Sequence, residues 1–461
     1  MKKFRKSVTL IKEMISERLD SKPREHLLLT GNAGDFFSAY VHSPGDSNPI
    51  DYFQDRTHSI YAYNPFITGE ESHHRAICGP ASEEKSIFVV KDLVSHMISD
   101  PMVWVVDLSA SYLDFFELLK EDSPANTAII RVSHGDINFA FNPFLFDDQY
   151  SDAPKEHFEL CAGLLKIMVG AEFRNAESEE SVREGLKAFF NAYRILLRNR
   201  TEAKPVQPLS LLFEIFEKKL RHPGLAAALQ RWTTGRRGDI FNTGRDMLQS
   251  ARYCYFDLRG MDDEPEFAAA IVYMIFSKVY RDIADEKLQD VQKRFILAEA
   301  NRYITDPAFS FWLQQLTSVN RQGNFMLDLI TPSINDIAES DAIMKNLKQA
   351  FFFPGQENIE DSFRKLQMTD ANVEQYNSLD PSLHEVLYWS DGGVKRILRW
   401  VVDPYTYWLA IPSDNEREMR RRMKERFGNI RAALGELVRV TAGCKTTTER
   451  LTALKRYFKN S

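Results

Sequence analysis

The sequence predicts an α/β fold, a mostly parallel central sheet with helices on both faces and an all-helical insertion. Two patterns carry that reading. First, short unbroken apolar runs, RAIC (75–78), MVWVVDL (102–108) and TAIIRV (127–132), alternate with KSIFVVKDLVSHMI and SYLDFFELLK, which have helical spacing. Strands that are apolar on both faces and separated by helices are expected of a parallel sheet. Second, the pattern changes between about Pro154 and Gln249, where KEHFELCAGLLKIMVG, SEESVREGLKAFFNAYRILLRNR, LSLLFEIFEKKL and GLAAALQRW are all helical by periodicity. That makes a helical lobe of ~100 residues.

Strands then return. RYCYFDLRG (252–260) precedes the long helix EPEFAAAIVYMIFSKVYRDIADEK, and RFILAEANRYI (294–304) is a strand running into a loop. FSFWLQQLTSVNRQG reads as a helix ending at Gly323, followed by the strands FMLDLIT (325–331) and AFFFPG (350–355). VKRILRWVV and YTYWLAIP read as a hairpin at the sheet edge. In NEREMRRRMKERFGNIRAALGELVRV, Met419, Met423, Phe427, Ile430 and Leu434 form one apolar stripe of a basic amphipathic helix. The expected divisions are a connecting segment (1–60), a first α/β part (61–153), the helical insertion (154–250), a second α/β part (251–412) and basic C-terminal helices (413–461).

The composition, 461 residues with 44% hydrophobic and 27% charged, is that of a globular protein with a sizeable core. The opening MKKFRKSVTLIKEMISERLD is interrupted by charges and does not read as a leader, and no run approaches the ~20 apolar residues of a membrane span. The expected location is the cytoplasm, including the cytoplasmic face of a membrane reached through partners. Cys78, Cys161, Cys254 and Cys444 are scattered, without metal or disulfide spacing. Net charge is −6, but residues 413–461 carry 13 Lys/Arg against 6 Asp/Glu. Such a tail suits an acidic protein surface or DNA, or is simply a solvated face.

Three stretches carry chemistry. In CGPASEEKS, Gly79, Lys85 and Ser86 fit the phosphate-binding pattern GxxxxGK[ST], with Ser82 in the loop between them and Glu84 where the second glycine belongs. Glu83 and Glu84 would set two negative charges where phosphates arrive. In RFILAEANRY the apolar strand ends in Ala298-Glu299 rather than Asp-Glu. Glu299 is placed to polarise an attacking water, but the metal-holding aspartate is replaced. In VNRQGNFMLDLIT, Arg321 precedes a strand and is a candidate arginine finger.

Read together and in order, NPFITGEESHHRAICGPASEEKS, VVDLSASYLDFFELL, FNPF, YFDLRG, FILAEANRYITDPAFSFWLQQLTSVNRQGN, DLITPSINDIAES and AFFFPGQEN resemble the C-terminal motor domain of the large conjugative-transfer ATPases of bacterial type IV secretion systems. The match extends over nearly the whole chain, and the closing SLHEVLYWSDGGVKRILRWVVDPYTYWLAIP resembles that family's last hairpin segment. The resemblance implies a RecA-like P-loop NTPase fold. Gly79, Ser82, Lys85 and Ser86 would then hold nucleotide, and Glu299 and Arg321 would act on it. Three departures stand against a working site: Ala81-Ser82-Glu83-Glu84 in the loop, Ala298, and Thr331-Pro332-Ser333 in place of Thr-Gln-Ser. The large N-terminal domain usual in that family has no evident counterpart before the loop.

The expectation is therefore a conjugation or secretion component with weak or absent ATP hydrolysis and a structural or regulatory role. It would work beside an active homologous ATPase, in a homo-oligomeric (hexameric) ring, at the inner membrane through partners. ATP and Mg²⁺ would be its cofactors if the site works, and none if it does not. One alternative is a divergent active ATPase using Lys85, Ser86 and Glu299, with Asp107 or Asp257 as the metal-holding acid. Another is a DNA-binding accessory protein acting through its basic tail.

Overall fold

A computed structural model describes residues 45–66, 73–80, 83–132, 139–144, 155–170, 176–198, 207–243, 251–261, 263–305, 307–318, 324–410 and 413–460. One sheet of eleven strands runs through them. The strands are β1 (Asp51–Asp55), β2 (Ile60–Tyr63), β3 (Arg75–Cys78), β4 (Met102–Asp107), β5 (Thr127–Arg131), β6 (Tyr253–Asp257), β7 (Lys293–Leu297), β8 (Phe325–Thr331), β9 (Gln349–Phe352), β10 (Glu385–Ser390) and β11 (Lys395–Arg399). Their order is β2-β1-β11-β10-β9-β3-β8-β7-β4-β6-β5. The seven strands expected from sequence, β3 to β9, are contiguous and mutually parallel. The other four extend one edge as antiparallel strands.

Strand alternation sorts the apolar residues onto two faces. On one face Ile77, Val103 and Val105 meet Phe88, Val89 and Leu93 of helix α1 (Glu83–His96) and Phe116 of helix α2 (Leu113–Asp122). On the other face Ala76, Trp104 and Val106 meet Ile271, Ile275 and Phe276 of the long helix at Pro265–Ala284. That core continues without a break into the helices at Lys155–Val169, Ala176–Arg198 and Pro223–Gln230, through Leu164, Phe189 and Trp232. Both faces of the parallel part of the sheet are thus covered, which is why its strands read as unbroken apolar runs.

Two sequence readings change. β1 lies in the stretch expected to be a connecting segment, and with β2 it joins the sheet. The closing hairpin is EVLYWS with KRILR, joined through Gly393 at φ 93°, while YTYWLA belongs to helix α3 (Pro404–Ala410). The cause is local. Asp403 Oδ1 accepts the Tyr405 and Thr406 amides at 2.9 and 3.0 Å, and Pro404 opens the helix, so an acidic cap and an N-terminal proline override strand-forming aromatic residues.

Helix α4 (Asp414–Phe427) and helix α5 (Ile430–Val440) lie against α2. Their apolar stripe is buried as expected through Met419, Met423, Ile430 and Leu434, with Phe427 left exposed. Three of their cations pair with α2, while Arg421 and Arg422 stay exposed. Arg420 pairs with Asp114, Lys424 with Glu117 and Arg431 with Asp122, all on α2. Among the described residues no helix is long and apolar enough to cross a membrane.

Candidate functional site

A cleft of 620 Å³ opens beside the carboxyl ends of the parallel strands, lined among others by Lys85, Ser86, Glu299, Arg302, Thr331 and Arg417. Ligands of open α/β sheets bind at that edge. The strand order explains how distant residues meet. β3 delivers Gly79 and the start of α1, and β7, two strands away, delivers Ala298 and Glu299, with β8 and its Thr331 between them.

Lys85 sits in the first turn of α1 and is only 8% exposed. Its Nζ donates to the Gly79 carbonyl and, at 3.2 Å, to the Thr331 carbonyl. Burial pulls its pKa down to about 8, against the opposing pull of Cys78, Glu299 and Asp336. Lys85 and Glu299 line one cleft without pairing directly. Lys85 caps backbone carbonyls, and Glu299 Oε2 lies 2.7 Å from Arg302 Nε. Glu299 also holds φ at 52°, a conformation that costs a non-glycine residue about 1–2 kcal/mol.

Gly79 is needed for packing whatever the ligand, since a Cβ there would lie 2.5 Å from that of Phe353. The Ser86 side chain hydrogen-bonds with Tyr112, whose hydroxyl pKa is pushed up by burial. Glu84 does not oppose an incoming phosphate. Its Oε1 lies 3.3 Å from His384 Nδ1, and it is not among the described residues lining the cleft. Ser82 and Arg321 lie outside the described residues.

The Thr331-Pro332-Ser333 departure has a structural use. Ser333 caps the short helix at Ile334–Ala338 in a capping box with Asp336, which also accepts from the Thr331 hydroxyl. Gln356 locks this turn to β3, accepting from the Ile334 amide at 2.8 Å and donating to the Cys78 carbonyl at 3.2 Å.

Magnesium does not fit the donor set. Ala298 supplies no carboxylate, its amide being tied to the Val106 carbonyl. The two acids considered as substitutes are engaged. Asp107 accepts from the Ser109 amide and hydroxyl, the Tyr112 amide and the Tyr255 hydroxyl. Asp257 is held by Arg259 at 2.6 Å. Among the described residues no cluster of three or more His, Cys, Asp or Glu could hold a metal. Lys85, Arg302 and Arg417 line the cleft as donors of the kind that meet phosphate oxygens, and Glu299, paired with Arg302, is the one carboxylate among its described lining residues. Arg417 was not foreseen. In the sequence it is one arginine among many in the tail, and only the seating of α4 on α2 brings it to the cleft.

No protein-family profile matches the chain, and no curated protein matches it. Solved structures do. VirB4 of Thermoanaerobacter pseudethanolicus aligns over 78% of this chain and 98% of its own, with TM-score 0.62 and 13% identity. The plasmid coupling protein TrwB, solved with the non-hydrolysable ATP analogue ADPNP, aligns over 82% of this chain and 94% of its own, with TM-score 0.48 and 8% identity. The chain therefore carries the fold of VirB4, the RecA-like fold implied by the resemblance of its motifs to the type IV secretion motors.

Proposed function

We propose that this chain is a structural or regulatory component of a conjugative-transfer or secretion machine, built on a motor fold whose nucleotide site does not turn over ATP. The observation that carries this reading is Ala298-Glu299. The position that should hold a metal is apolar, and the residue that should activate water is bound to Arg302 at 2.7 Å. A carboxylate engaged by a guanidinium is not presented to a water for proton abstraction. The other motif positions support a retained scaffold: Gly79 serves packing, Glu84 faces His384, and Ser333 caps a helix. Such a chain would act by docking in a ring or against an active homologous ATPase at the inner membrane. The DNA-binding alternative loses support, because Arg420, Lys424 and Arg431 are neutralised by α2.

The test is ATP hydrolysis by the purified full chain. The wild type should show no turnover above a Lys85→Ala control. Ala298→Asp should introduce Mg²⁺-dependent nucleotide binding, whereas Glu84→Gly alone should not, since that carboxylate is already out of the cleft. Wild-type turnover abolished by Lys85→Ala would overturn the reading in favour of a divergent ATPase.

A further inference from the structure

A triphosphate chain carries about 3–4 negative charges, and P-loop proteins offset part of them with Mg²⁺. Here the metal-holding position is Ala298, yet the cleft is cationic. Among the described lining residues Lys85 comes from α1, Arg302, which is paired with Glu299, from the turn after β7, and Arg417 from the C-terminal helix α4. Arg417 is positioned by its neighbours. Residues 417, 420 and 424 lie on one face of α4 by helical spacing. Arg420 is anchored to Asp114 and to the Trp408 and Leu409 carbonyls at 3.0 and 2.8 Å, and Lys424 is anchored to Glu117. Met419 and Met423 are buried beside them. That face is fixed along α2, and Arg417, one turn towards the N-terminus, reaches the cleft. A guanidinium is well suited to phosphate oxygens because its donors form a rigid fork.

We propose that this cleft binds a triphosphate chain without a divalent metal, with Arg417 of the C-terminal helix supplying the counter-charge that Mg²⁺ supplies in a working P-loop site. The inference rests on the reading of the cleft as a nucleotide site that does not turn over, and it adds the ligand and the residue that holds it. It also couples the two parts of the chain. Ligand in the cleft would join α4 to the first turn of α1, so that binding stabilises the docking of the C-terminal helices.

The test uses the full chain, with inorganic tripolyphosphate titrated calorimetrically and a fluorescent ATP analogue titrated optically, each in excess EDTA and in excess Mg²⁺. Both should bind in EDTA at least as tightly as in Mg²⁺. Tighter binding of the ATP analogue identifies a nucleoside triphosphate as the ligand, and equal binding identifies the free polyphosphate. Arg417→Ala should weaken binding about ten- to a hundredfold, Arg417→Lys should restore part of it, and Arg422→Ala, exposed on the same helix, should bind as wild type. Arg417→Gln, read alongside its melting temperature, separates loss of the contact from loss of the fold. Binding that requires Mg²⁺, no binding in EDTA, or an Arg417→Ala chain that binds like wild type would overturn the inference. Absence of binding leaves the scaffold reading intact, while ATP turnover removes that reading whatever Arg417 does.

Discussion

Replacing Lys85 by methionine should stabilise the ligand-free chain at neutral pH, because Lys85 holds its charge in a buried place. Its pKa falls from 10.5 to about 8 through desolvation. At 1.36 kcal/mol per unit, keeping the ammonium protonated at pH 7 costs roughly 3 kcal/mol. Methionine fills similar space but cannot donate to the Gly79 and Thr331 carbonyls, a loss of about 1–2 kcal/mol. The net gain at pH 7 is then about 1–2 kcal/mol. Its pH dependence is the sharper quantity. Between pH 8 and 10.5 the unfolded chain binds a proton that the folded chain has given up. Wild-type stability therefore rises with pH through that window, and the variant has no such term. The advantage of Lys85→Met should shrink by about 2 kcal/mol from pH 7 to pH 9.5. Urea unfolding of both chains at the two pH values measures it, with other titrating groups cancelling in the difference. A difference independent of pH, or one that grows with pH, would refute the claim that Lys85 is a buried cation strained by desolvation. The same shift gives a ligand prediction: phosphate binding should take up a proton near pH 8 and weaken above it.

Two further perturbations test the frame around the cleft. Asp328→Asn should cost about 3–5 kcal/mol by urea unfolding, because Asp328 is fully buried and accepts from Arg75 Nε at 2.8 Å and Arg294 Nε at 2.6 Å, with Asp92 the other acid of the cluster; a loss under ~1 kcal/mol would mean the cluster is not held as described. Arg420→Glu should cost a comparable ~3–5 kcal/mol, since it sets a carboxylate against Asp114 and two carbonyls, whereas Arg421→Glu, on the exposed face, should leave the melting temperature nearly unchanged; equal effects of the two would refute the seating of α4 on α2.

What was legible in the sequence follows from burial. The seven parallel strands are covered on both faces, so each appears as an unbroken apolar run. β1 and β2 were missed because DYFQD and IYAY alternate buried and exposed residues in short segments at the antiparallel edge. Helix α3 was misread because Tyr, Thr and Trp favour strands, and the decisive signal was Asp403-Pro404 ahead of them. The buried cluster of Arg75, Asp92, Arg294 and Asp328 has no sequence pattern at all, since each residue comes from a different element and only the sheet order assembles it. At the site, Gly79, Lys85, Ser86 and Glu299 were legible because each lies in a local motif. The roles of their neighbours were not, because motif spacing says nothing about where a side chain turns. Glu84 was read as a charge opposing phosphate, and its rotation towards His384 removes that penalty.

That rotation bears on what the cleft is. A phosphate site that had simply lost its purpose would have no reason to keep its charges arranged for an anion. Here the one acid of the loop whose side chain is described faces away from the cleft, and Glu299 is neutralised by Arg302. The acids that could have met Arg420, Lys424 and Arg431 elsewhere are gathered on α2 and hold α4 in place. The described lining of the cleft carries Lys85, Arg302 and Arg417, and burial depresses the pKa of Lys85. Removing a buried ammonium that has no carboxylate hydrogen-bonded to it would relieve that strain, so its presence in a stable fold needs a compensating gain. The loop carbonyls supply part of it. An anionic ligand would supply the rest, by replacing desolvation with charge pairing at Lys85 and Arg417 together. The stability of Lys85→Met and the metal-free binding of tripolyphosphate are therefore two measurements of one quantity: the more the ligand-free chain gains from losing the lysine, the more the wild type should gain from binding phosphate.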